Sequence, residues 1–185
     1  MAKIRILGFG ASLRKGGFST AILESAKELV PEGATLETFS LEGIPAFNQD
    51  IENSAMPKRV KAFKKAIRGA DALLIVTPEY NYSVPGYLKN AIDWASRPDA
   101  DNSFIGKPAS VMSSSDGQFG GIRASLHMRQ IMLGSGMHAI SGIEVKVTNA
   151  DEKIKNGKVT DKKIIGQMKK QLKNLTDWAI LMKKK

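Results

Sequence analysis

The sequence predicts an α/β protein: a doubly wound, five-stranded parallel sheet with helices on both faces, three layers in all. Three observations point there. Five apolar segments alternate with helical patterns along the chain, and that alternation implies right-handed crossovers between parallel strands. The first and third segments are nearly continuous in apolar character, as strands covered on both faces must be. The third then runs into TPEYNYSVPG, residues 77–86, a turn with more rings and polar edges than a bare connection needs.

Residues 3–8 (KIRILG) form the first strand; the run is too short for a secretory segment, and Gly8 and Gly10 interrupt it. Helix 20–29 places Ile22, Ala26 and Leu29 on one side. Strand 35–40 (TLETFS) alternates in polarity, which suits an edge. Helix 57–68 begins at Pro57, acceptable at a first helical position, and spaces Val60, Phe63 and Ile67 by three and four. Strand 72–77 (ALLIVT) precedes helix 85–95, whose apolar side is Leu88, Ala91, Ile92 and Ala95. Strand 108–113 (PASVMS) precedes helix 121–133, with Ile122, Leu126, Met128 and Ile131 as its apolar residues. Strand 143–148 (IEVKVT) alternates and belongs at the other edge. Asn156-Gly157 marks a tight hairpin turn, and helix 162–182 turns Ile164, Ile165, Met168, Leu172, Leu175 and Ala179 inward. No repeat, linker or boundary interrupts the pattern, so 1–185 reads as a single domain.

A chain of 185 residues can bury a core without staples. The absence of cysteine excludes disulfides, zinc–thiolate centres, iron–sulfur clusters and a cysteine nucleophile; no metal site is expected. No apolar run reaches the ~18 residues of a membrane span, so the expectation is a cytoplasmic protein with no membrane partner. The net charge is +10, and residues 151–185 hold eleven lysines against four acids, +7 of it. Those lysines are spread along an amphipathic helix and its tail rather than gathered with aromatics. A solvated face accounts for them, and nucleic acid is not expected as a partner.

In such sheets ligands bind outside the carboxyl ends of the strands, where the order reverses. The loop after the first strand, GASLRKGGFST (10–20), offers the hydroxyls of Ser12, Ser19 and Thr20, the cations Arg14 and Lys15, and Gly16-Gly17, and then opens a helix. Helix N-termini present free N–H groups to a phosphate, and an arginine adds a two-pronged partner. The plainer reading, Ser19 as an N-cap beside a glycine turn, needs fewer polar groups than are present. Gly8-Phe9-Gly10 does not begin a dinucleotide fingerprint, since the third position falls on Leu13 and no acid ends the second strand at Ser40. What remains is a terminal phosphate on a mononucleotide-like ligand. In the next loop Tyr80 and Tyr82 can pack on a planar ring. The backbone of Glu79 and Asn81, with the Asn81 amide, can bond its edges, while Pro78 and Pro85 stiffen the turn. The alternative there is a rigid turn with two half-exposed tyrosines. SSSDGQFGG (113–121) is a third polar loop on the same rim. A phosphate clamp and an aromatic shelf on adjacent strands describe flavin mononucleotide (FMN) lying across the sheet's edge.

These segments carry a family resemblance. GASLRKGGFST resembles the phosphate loop of the NAD(P)H-dependent FMN reductase family, a flavodoxin-like group that includes soluble quinone, chromate and azo-dye reductases. TPEYNYSVPGYLKNAIDWASR resembles its most specific motif, and GGIRASLHMRQIM its helix after the third loop; the likeness runs from about Ile4 to Ile140. It implies bound FMN, NADPH or NADH as co-substrate, and ping-pong transfer to quinones or similar small acceptors such as chromate, azo dyes or free flavin, with no catalytic side chain. It implies that Ser12, Arg14, Ser19 and Thr20, with Lys15 beside them, hold the phosphate. Pro78, Glu79, Tyr80, Asn81 and Tyr82 would line the ring, and Ser113, Ser114, Ser115 and Gln118 would close the other side. Thr20 stands where many members have Asn, and Leu126 where some have Tyr. A homodimer or homotetramer is implied, with Trp94, Met128 and Met132 as residues of its interface or of the core. His127 and His138 are read as structural. The alternative is a flavodoxin-type electron carrier with no NAD(P)H oxidation of its own; such carriers resemble strongly acidic proteins, unlike this chain.

Overall fold

The computed structural model describes residues 3–11, 14 and 16–183. In chain order its elements are β1 (Ile4–Gly10), α1 (Phe18–Leu29), β2 (Ala34–Phe39), α2 (Gln49–Ser54), α3 (Lys58–Gly69), β3 (Ala72–Pro78) and α4 (Gly86–Ala95). There follow β4 (Pro108–Ser114), α5 (Ile122–Gly134), β5 (His138–Ala139), β6 (Lys146–Val147), α6 (Ala150–Lys153), β7 (Ile154–Lys155), β8 (Lys158–Val159) and α7 (Lys162–Lys183).

The two-residue period of the strands sets the layers. Leu7, Phe9, Leu73 and Ile75 join Phe63 of α3, Leu88 of α4 and Met128 of α5 in one core. Ile4, Ile6, Leu74 and Val76 join Ile22 and Ala26 of α1 and Met168 and Leu172 of α7 in the other. The sheet runs β2-β1-β3-β4-β5, its pairs all parallel. The winding therefore reverses between β1 and β3, the doubly wound order that the apolar pattern implies. Gly8 and Gly10 have a packing role: a Cβ on Gly8 would lie 2.9 Å from Leu23 Cδ2, and one on Gly10 3.1 Å from Leu23 Cδ1. Without those side chains α1 lies directly on β1, and its N-terminus reaches the rim.

Several expectations need correction. The fifth strand, read as 143–148, is two short pieces on one edge: β5 pairs with Pro108 and Ala109, β6 with Ser113 and Ser114. In the gap between them Gln171, buried on α7, replaces the ladder. Val145 N–H donates to Gln171 Oε1 at 2.6 Å, and Gln171 Nε2 donates to Ser110 Oγ at 2.5 Å and to the Val111 carbonyl at 2.7 Å. Of the two readings given for Trp94, Met128 and Met132, interface or core, burial selects the core: all three are fully buried, and Trp94 Nε1 donates to the Pro45 carbonyl at 2.9 Å. Leu126, named among the apolar residues of α5, is half exposed. The short α2 and α6 carry too few residues to show a period. The hairpin turn stands as read: Asn156 and Gly157 have φ of 50° and 74° between β7 and β8, as a two-residue type I′ turn requires.

Glu144, beside the gap, ties the edge to α5. It accepts from Arg129 Nη1 at 2.5 Å, Lys146 Nζ at 3.0 Å and Ser125 Oγ at 3.3 Å. Burial pushes its carboxyl up, but Lys146 and Arg129 together outweigh burial and hold it below its ordinary value. A depressed carboxyl contributes stability that is present above its unfolded pKa, about 4.3, and lost as the pH falls through the lower folded value. Glu144→Gln is expected to melt below the wild type at pH 7, with the gap closing as the pH drops below about 4. Melting curves from pH 7 to 3 check this, and a gap independent of pH would refute it.

Candidate functional site

The carboxyl ends of β1, β3 and β4 bring three loops around one cleft. The first wall is the start of α1, lined by Arg14, Gly17, Phe18 and Ser19. The N-cap residue, Gly17, offers no side chain to the first N–H groups of the helix. Ser19 Oγ is buried and has no hydrogen-bond partner among the described residues. Ser114 Oγ, at the end of β4 on the opposite wall, is in the same state. A buried hydroxyl without a partner costs about 1–3 kcal/mol. Two of them facing one cleft, beside an uncapped helix N-terminus and an arginine, form a donor set suited to an anionic, oxygen-rich ligand.

The second wall is Pro78, Glu79 and Tyr80. Tyr80 and Ser83 exchange both backbone hydrogen bonds, at 2.9 and 3.0 Å, across the two-residue turn Asn81-Tyr82. Asn81 has φ 48° and Tyr82 φ 66°, so a bulky residue occupies the left-handed position where such turns favour glycine. That conformation holds the Tyr82 ring out in solvent, 67% exposed. The Arg123 guanidinium lies 4.1 Å from its centroid and 5.3 Å from that of Phe119.

Arg123 also joins this wall to the third loop. Its Nη1 donates to Glu79 Oε1 at 2.9 Å, while the backbone N–H groups of Arg123 and Ala124 donate to Glu79 Oε2 at 3.0 and 3.4 Å. The Glu79 carboxylate thereby caps α5, whose own N-cap residue Gly121 supplies no side chain. One carboxylate and one guanidinium clasp the β3 and β4 loops together, and Glu79 has only its backbone left to offer a ring.

The structure sorts the candidate residues. Arg14, Ser19, Pro78, Glu79, Tyr80, Ser114 and Ser115 line the cleft; Ser12 and Lys15 lie outside the described residues. Thr20 is exposed and lines the neighbouring cleft beside Thr38 and Ser40. Asn81 and Tyr82 form the exposed turn tip, and Gln118 is exposed beyond the cleft wall. The Ser113 hydroxyl is used internally, donating to the Gly120 carbonyl at 2.7 Å, and that of Ser115 accepts from Gly117 N–H at 3.1 Å. Phe119 was missed; an aromatic ring inside a glycine-rich loop was the available signal. His127 Nδ1 lies 3.0 Å from Ser83 Oγ, and His138 is exposed on β5. No cluster able to hold a metal occurs among the described residues.

The chain is similar to known proteins over most of its length. The NADPH-dependent FMN reductase family profile matches residues 4–152. An NAD(P)H-dependent FMN reductase of Pseudomonas aeruginosa is 42% identical over 177 residues, 95% of each chain. A quinone reductase of Pseudomonas putida is 40% identical over 152 residues, 82% of each. Among solved structures, the flavoenzyme NAD(P)H:(acceptor) oxidoreductase FerB from Paracoccus denitrificans superposes with a TM-score of 0.88 at 31% identity, covering 97% of this chain and 98% of its own.

Proposed function

Since this chain belongs to the NADPH-dependent FMN reductase family, we propose that it carries electrons from NADPH or NADH to a quinone or similar small acceptor, the two substrates using one FMN face in turn. The observation that carries the reading is the pair of unpartnered hydroxyls, Ser19 and Ser114, facing one cleft at the strand-order reversal. FMN, when bound, supplies hydride acceptance and electron storage that no side chain here provides.

The protein's part is binding and orientation. Arg14, Ser19 and the first N–H groups of α1, with Ser12 and Lys15 from the same loop, hold the phosphate. The backbone of Pro78, Glu79 and Tyr80 borders the ring, with Ser114 and Ser115 opposite. No nucleophile or acid–base pair is needed. The rim is open, with Tyr80, Tyr82 and Phe119 all more than half exposed, which supports a homodimer or homotetramer in which a second copy supplies the outer wall.

The purified protein is expected to be yellow, to bleach with NADPH and to recover its colour with a quinone. Initial velocities at several quinone concentrations should give parallel double-reciprocal lines, and intersecting lines would overturn the alternating order. A yellow protein that dithionite bleaches but NADPH does not would instead favour the electron-carrier reading. Arg14→Ala should weaken FMN binding by about 10- to 100-fold, the worth of a charge-assisted bond; an unchanged dissociation constant would remove Arg14 from the phosphate site.

A further inference from the structure

The last turns of α7 carry an apolar cluster that the fold leaves uncovered. Trp178, Ile180 and Leu181 are 40%, 38% and 49% exposed, and Trp178 and Leu181 wall a groove with Ile140. Single exposed apolar residues are ordinary, but Trp178 and Leu181, three positions apart, are neighbours on one helix face and form a patch. The same exposed side is strongly basic. Lys163, Lys170 and Leu181 fall on one line along the helix, by its 3.6-residue turn. Lys162, Lys163, Lys169 and Lys170 make no ion pair among the described residues. The helix has one acid, Asp177, which Lys173 neutralises at 2.6 Å. Lys183 pairs with Asp71 at 2.9 Å. Asp71 directly precedes β3, so this end of α7 sits at the amino end of the sheet, away from the cleft.

We propose that this face of α7 rests on an anionic phospholipid surface, its lysines against the headgroups and Trp178 and Leu181 entering the acyl boundary. A solvated face accounts for the lysines but not for the apolar turn beside them. Nucleic acid would take the lysines and leave Leu181 without a partner, whereas an anionic bilayer takes both lysines and apolar residues. A two-fold contact with a second copy would bring unpaired lysines toward like charge, which is costly. The surface is peripheral, so it agrees with the finding that no helix is long and apolar enough to cross a membrane. It does not depend on the redox reading.

The test uses the full chain and vesicles of phosphatidylcholine, with or without phosphatidylserine. The protein has two tryptophans, and Trp94 is fully buried, so a vesicle-induced blue shift in emission reports Trp178. Co-sedimentation is expected with the anionic vesicles alone, reversed by high salt. The double substitution Lys169→Gln/Lys170→Gln should lower partitioning about fivefold per lysine. The pair Trp178→Ala/Leu181→Ala, read by co-sedimentation because it removes the fluorescent reporter, should weaken binding, while FMN content and NADPH oxidation stay unchanged. Failure to sediment with anionic vesicles overturns the proposal, as does equal sedimentation with neutral ones. Binding that neither variant alters also overturns it, as does a vesicle-free dimer that Trp178→Ala/Leu181→Ala disperses.

Discussion

Glu79→Ala is expected to lose about 2–3 kcal/mol of folding stability and at least about tenfold in FMN affinity together. The carboxylate is the shared acceptor for two backbone N–H groups of α5 and for the Arg123 guanidinium. Removing it strips the helix of its cap and leaves Arg123 between two rings with no counter-charge. Gly121 cannot substitute, having no side chain to accept with. The affinity loss follows because the turn carrying Tyr80 and the loop after Ser114 are then no longer clasped, and ordering them on binding costs entropy. Glu79→Gln, which keeps one acceptor oxygen, should fall between the two. Urea unfolding and a flavin-fluorescence titration measure both quantities. A Glu79→Ala protein with wild-type midpoint and affinity would show the clasp to be idle.

Gly121→Val should be worse for the scaffold, costing about 3 kcal/mol or more. Gly121 sits at φ 77°, and a Cβ there would lie 3.0 Å from the Ser114 carbonyl oxygen and 3.1 Å from Ser113 Cβ. A β-branched residue resists that backbone conformation, and relief would have to move the end of β4, where the unpartnered Ser114 hydroxyl stands. Gly117→Ala is the control. A Cβ at Gly117 meets nothing nearer than 3.6 Å, so it should change stability by less than about 0.5 kcal/mol. Equal stability of the two variants would mean that the junction yields freely.

What the sequence revealed, and what it hid, follows the range of the forces involved. β1 and β3 were legible because burial on both faces leaves its mark in consecutive residues. β6 was legible only as part of a longer strand, 143–148, and β5 was missed, because two-residue strands have no period and the residue that closes their gap, Gln171, comes from α7. The loop after β1 was legible as a cluster of hydroxyls and cations. Which hydroxyl faces the cleft, Ser19 or Thr20, depends on the rotation of α1 at its first turn, and sequence reading places helix starts only to within a residue or two. Glu79 looked like a neighbour for a ring; its carboxylate instead caps a helix that begins more than forty residues later, and nothing local announces that. Met128 and Met132 carried no sign of being core rather than contact surface, since apolar residues serve both.

The amide of Gln171 has a mechanical consequence. It joins two short runs of pairing, Pro108–Ala109 below and Ser113–Ser114 above, without making them one ladder. The upper run supports the third loop: a Cβ on Gly120 would lie 3.1 Å from the Lys146 carbonyl carbon. Rotating that buried amide would break three hydrogen bonds at once, so displacing the loop from the seam costs the desolvation of each group left unpaired. The sheet is thus riveted beneath one of its rim loops by a residue from the last helix, so the C-terminal segment has to dock before that edge is complete.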